Sequence, residues 1–86
     1  MNINDLNDTI KKKISEQLMV DEILIEDKTY LHLKHKNFQK NKFHIKIFIK
    51  SKELSNMSKI NSTKKIYEIL KLEIKNYIHS IQIVLK

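Results

Sequence analysis

The chain has 86 residues, enough for one small domain with one modest core, and contains no cysteine, glycine or proline. Without cysteine there is no disulfide, thiolate nucleophile or thiolate zinc site; without glycine there is no Walker loop, dinucleotide-binding fingerprint or GxxG loop. All 17 cationic side chains are lysines, and the net charge of +7 favours anionic partners while lacking arginine's bidentate grip on guanine and phosphate.

Several other classes fall away at the same level. No run of about 18 apolar residues exists, so no membrane span is expected. The opening "MNINDLNDTI" carries acids and amides where a secretory signal would be basic and then apolar, which points to a cytoplasmic protein. The abundance of Ile, Lys and Asn is also what an AT-rich coding sequence would produce, so the charge alone does not name a partner.

In chain order, residues 4–18 place Leu6, Ile10, Ile14 and Leu18 at every fourth position, one apolar stripe of a helix, with Asn4 able to cap it and Asp5 suited to the positive end of its dipole. "VDEILIED" at 20–27 is a predicted strand with Ile23 and Ile25 on one side and Glu22 and Glu26 on the other; Leu24 allows partial burial on both faces. Residues 28–42 are polar, basic and unpatterned in their second half, the longest predicted connector and expected to be mobile. "FHIKIFIKS" at 43–51 alternates cleanly, with Phe43, Ile45, Ile47 and Ile49 facing one way and His44, Lys46, Phe48 and Lys50 the other. Residues 52–60 form a short connector with one helical turn. A second helix runs from Asn61 or Ser62 to about 76, burying Ile66, Ile69, Leu70 and Ile74, with Lys64, Lys65, Lys71 and Lys75 off that face. "NYIHSIQIVLK" at 76–86 is the last strand, with His79 in phase with Ile81, Ile83 and Leu85 on the apolar side. The expectation is a single α+β domain over 1–86, ordered α-β-β-α-α-β. Two main helices would cover one face of a three-stranded sheet, with an antiparallel hairpin followed by a strand that returns parallel.

Four segments, in this order and with compatible spacing, resemble the BolA family. "DKTYLHLKH" is similar to a segment in which serine or threonine precedes histidine. "FHIKIFIKS" resembles the (S/T)HF-x-(V/I)-x-(V/I)-(V/I)-S strand, with His44 and Ser51 at motif positions. "LSNMSKINSTKKIY" aligns Leu54, Ser58, Ile60, Ile66 and Tyr67 with the family's helical motif, and "IHSIQI" places His79 at its closing histidine. The chain departs from the pattern where Asn56 replaces a glycine and where Ser62, Thr63 and Lys64 replace a basic R-H-R triplet. The resemblance implies a topology like that of class II KH domains and partnership with a monothiol, CGFS-type glutaredoxin. It further implies a [2Fe–2S] cluster shared with that protein and glutathione, with none held by the isolated chain. On that reading His79 is one metal ligand and His35 the second, with His32 as its substitute.

The chemistry is coherent without the family. Imidazole can replace thiolate on one iron of such a cluster, so a cysteine-free chain can still hold half of one. The bland alternatives are a core histidine at 79 and solvated surface histidines at 32 and 35; His32-x-x-His35 is poorly spaced for zinc on an extended segment. The second hypothesis is a DNA-binding regulator using Lys64, Lys65 and Lys71, with Phe48 between Lys46 and Lys50 as the only hint of a stacking platform. No paired carboxylates or nucleophile–base set is present, so the expected role is not enzymatic.

Overall fold

The structure, a computed structural model, describes residues 2–29 and 42–86. Its elements are α1 (Ile3–Gln17), β1 (Glu22–Asp27), β2 (Phe43–Lys50), α2 (Lys52–Ser55), α3 (Lys59–Ile69), α4 (Lys71–Asn76) and β3 (Ile78–Leu85). The order is the one expected except that the long second helix is divided into α3 and α4. The connector predicted at 28–42 lies largely outside the described residues.

The three strands form one sheet in the order β1-β2-β3, with β2 antiparallel to β1 and parallel to β3. The pleat aligns Ile25, Ile47 and Ile83 across all three strands, and Ile23, Ile49 and Leu85 in the next row. These rows, with Ile45, face the helices. Leu6, Ile10 and Ile14 of α1 and Ile66 and Ile69 of α3 close over them, so the core is a single layer of aliphatic side chains between sheet and helices. The opposite face of the sheet carries Glu22, Leu24 and Glu26 opposite Lys50, Phe48 and Lys46. Leu24 therefore does not divide its burial between faces; it stands 52% exposed on the outer one.

Helix starts differ from the sequence reading because caps earlier in the chain win. Asn2, not Asn4, caps α1, its Oδ1 accepting the Asp5 amide at 2.8 Å. Ser58 caps α3 through the Asn61 amide at 3.1 Å, which starts that helix at Lys59 instead of 61 or 62. The helix expected to run unbroken to 76 is interrupted at Leu70, which ends α3 and begins α4; no glycine or proline marks the break. Leu70 is itself fully buried. Glu73 of α4 is buried and reaches Lys13 of α1 at 2.6 Å.

Ser51 joins sheet to helix. Its hydroxyl accepts the Leu54 amide at 3.2 Å as the cap of α2 and donates to the Met19 carbonyl at 2.6 Å. Both bonds are made by a buried side chain. Ser51→Ala is therefore expected to cost about 1–2 kcal/mol, read as a lower urea midpoint with an unchanged slope.

Candidate metal centre

The start of β3 is irregular. Phe43 pairs with Ile78, but the next residue of β2, His44, pairs with Ser80, leaving His79 as one extra residue on β3. The bulge overturns the alternation expected of the sequence. Ile78 stays in the core with Ile81, Ile83 and Leu85, while His79 leaves their face and is exposed. The signal was present in the spacing: Ile78 and Ile81 are three residues apart, an interval that a regular strand cannot place on one face.

The displaced ring meets another histidine. Nδ1 of His79 lies 3.1 Å from Nε2 of His44, with ring centroids 4.7 Å apart and planes at 84°. Nδ1 of His44 in turn lies 2.6 Å from the Ser80 hydroxyl. His44 belongs to the outer face, as its alternation implied, yet it is only 4% exposed. Its backbone is held as firmly as its ring. The amide donates to Thr29 Oγ1 at 3.1 Å, and the carbonyl accepts the Lys28 amide at 2.7 Å. Thr29, from the segment that resembled the family's serine or threonine, thus ties the end of the hairpin to the histidine pair.

Each bond between ring nitrogens needs one donor and one acceptor, so two neutral arrangements satisfy the chain. In one, His79 donates from Nδ1 to His44, which donates from its own Nδ1 to Ser80. In the other, every proton runs the opposite way and His79 carries its proton on Nε2. His44 has both nitrogens engaged and little exposure, which suits an inner supporting role. His79 is exposed, and its Nε2 has no hydrogen-bond partner among the described residues. An anchored Nδ1 and an open Nε2 are what an imidazole needs to ligate a metal.

Among the described residues no group of three or more histidines, cysteines or acids could hold a metal ion. His79 could supply one ligand at most, and a complete site would need others. His35 and His32 lie outside the described residues.

Beside His44 the outer face sinks into an open depression of about 440 Å³, bordered by Lys28, Lys46, Ser80 and Gln82. The electrostatics there are positive. Lys28 pairs with Glu26 at 2.9 Å, and its hydrogen bond and charge, helped by Lys46, hold the Glu26 carboxyl below the usual glutamate range. Lys46 and Lys86 place their ammonium groups 5.0 and 5.5 Å from the Phe48 ring centre. A nucleobase stacking on Phe48 would have to displace them. Lys64 and Lys71 are exposed and Lys65 is half-buried, all on the helical layer. A larger groove of about 500 Å³ lies between α2, α3 and β3, lined by Leu54, Met57, Ser62 and Leu85 among others. Among the described residues that line it, Lys59 is the one ionisable side chain and there is no imidazole, in contrast to the depression beside His44.

The fold and this site can be set against known proteins. The BolA domain of SufE1 from Arabidopsis thaliana superposes with a TM-score of 0.78 at 26% identity, over 100% of this chain and 93% of that one. BolA1 from Arabidopsis thaliana gives 0.76 at 25% identity, over 92% and 87%. A bol-like protein from Babesia bovis gives 0.68 over 91% and 79%, and at 10% identity it supports the fold alone. No curated protein matches the chain in sequence. The family model described as BolA-like protein matches residues 14–86, from the second half of α1 to the C-terminus. The chain belongs to the BolA-like family, whose members are known as accessory proteins and not as enzymes.

Proposed function

We propose that this protein docks on a monothiol, CGFS-type glutaredoxin and completes a [2Fe–2S] cluster shared with that partner and its glutathione, serving iron–sulfur cluster assembly, trafficking or iron regulation. The observation that carries the reading is the state of His79: bulged out of the core, exposed, anchored through Nδ1 and open at Nε2. The donor chemistry fits, since this chain has no thiolate to offer iron, and imidazole is a known substitute for thiolate on one iron of such a cluster. The second ligand in this reading is His35, or His32 in its place. When bound, the cluster supplies one-electron chemistry and a transferable iron–sulfur unit. This chain's own residues orient the ligand and present a basic depression to the partner. A net charge of +7 favours encounter with an acidic docking surface.

The test mixes the protein anaerobically with glutathione-loaded monothiol glutaredoxin and records visible absorption and circular dichroism. New bands should appear with the wild-type chain and be weakened and shifted with His79→Ala. Because His79 is exposed and gives up one hydrogen bond to His44, the variant should lose about 1 kcal/mol of stability and stay folded. Identical spectra from the two proteins would remove His79 as a ligand.

A further inference from the structure

Resting on the ligand role of His79 just given, we propose that His44 is its positioning residue: His44 accepts the Nδ1 proton of His79 and thereby keeps the Nε2 lone pair directed outward. A neutral imidazole has one proton and one lone pair, so the nitrogen that carries the proton cannot ligate. Of the two arrangements open to the His79–His44–Ser80 chain, only the one with the proton on Nδ1 of His79 leaves Nε2 competent. That arrangement requires Nε2 of His44 to be an acceptor, and so requires the His44 proton on Nδ1. The Ser80 oxygen lies 2.6 Å away there to receive it.

The parts are held for this. His44 is in the central strand, is nearly fully buried, and is fixed at both its amide and its carbonyl. The acceptor it offers His79 at 3.1 Å is thus rigid, and the near-perpendicular rings aim the edge of one at the other. The single extra residue in β3 accounts for both contacts, because it turns His79 and Ser80 together toward the His44 ring. Outer partners of this kind orient metal-binding imidazoles and raise their basicity. Here the partner is a second imidazole instead of the usual carboxylate or carbonyl.

The experiment compares His44→Phe, which keeps a buried ring without an acceptor, with His44→Gln, whose amide reaches the Nε2 position. His44→Asn is the third variant; its amide reaches only the Nδ1 position. In the cofactor-free proteins, ring 15N NMR should show the His79 Nδ1 signal moving when His44 becomes Phe and returning toward wild type with Gln. In the anaerobic mixture with loaded glutaredoxin, His44→Phe should weaken formation of the shared cluster by about 10–100-fold, with recovery by Gln and not by Asn. Wild-type-like cluster formation by a folded His44→Phe, or unchanged His79 nitrogen shifts, overturns the role. Should His44→Phe fail to fold, equal behaviour of the Gln and Asn variants overturns it. A wild-type mixture that forms no shared cluster removes the proposed function and this role together, whereas the outcomes above remove the role alone.

Discussion

Ile47→Ala is expected to lower the stability of the protein by about 3–4 kcal/mol, a large share of what a domain of this size has. Ile47 is fully buried at the middle of the central strand, paired with Ile25 on one side and Ile83 on the other. Truncating it removes three carbons from the layer shared by α1, α3 and the sheet. Neither neighbouring strand can move in to fill the space without breaking its own ladder. In urea the midpoint should fall by about 2–3 M with a slope of about 1.3 kcal/mol/M unchanged. A fall under about 1 kcal/mol would mean that the core relaxes around the missing methyls, contrary to a packed single layer. Ile47→Ala strikes stability and should spare the outer face locally; His79→Ala should strike the site at a cost of only about 1 kcal/mol.

The second large effect concerns the link between α1 and α4. Lys13→Met should destabilise the protein by about 2–3 kcal/mol, because it leaves the Glu73 carboxylate buried with no cation. The Glu73 side chain is 7% exposed and Lys13 32%, so the loss falls below the 3–5 kcal/mol typical of a fully buried pair. One carboxylate oxygen of Glu73 already has no hydrogen-bond partner among the described residues, so Lys13 is its principal compensation. Glu73→Leu in the Lys13→Met background should recover most of the stability, since two apolar side chains of similar volume avoid the desolvation that the pair bears. A double variant no more stable than Lys13→Met alone would contradict this account of the pair.

Much of the architecture was legible because it depends on local periodicity. The every-fourth-residue stripe of α1, the alternation of β2 and the apolar spacing of α3 each survive in the structure, and together they dictate one helical layer on one sheet. What was not legible depends on residues far apart in the chain. Alternation assigned His79 to the core because period two has no memory of an inserted residue; only the three-residue step from Ile78 to Ile81 recorded the bulge. The neighbours Lys46 and Lys50 left His44 open as either exposed or structural, and two of its ring's partners, Ser80 and His79, lie 36 and 35 positions away. Helical periodicity does not distinguish Glu73 from other acids, because its partner Lys13 is 60 positions away. The family resemblance singled out His79 and His44, but not their contact. Ser51 likewise matched a motif position before its two hydrogen bonds gave that position a physical reason.

The most direct measurement of the central claim is pulsed electron paramagnetic resonance on the reduced shared cluster, formed with this protein carrying 15N-labelled histidine and an unlabelled glutaredoxin. The account predicts nitrogen couplings from the labelled chain, one of which disappears with His79→Ala while the fold is retained. A reduced cluster that shows no coupling to the labelled histidines, or the same couplings after His79 is removed, would contradict it.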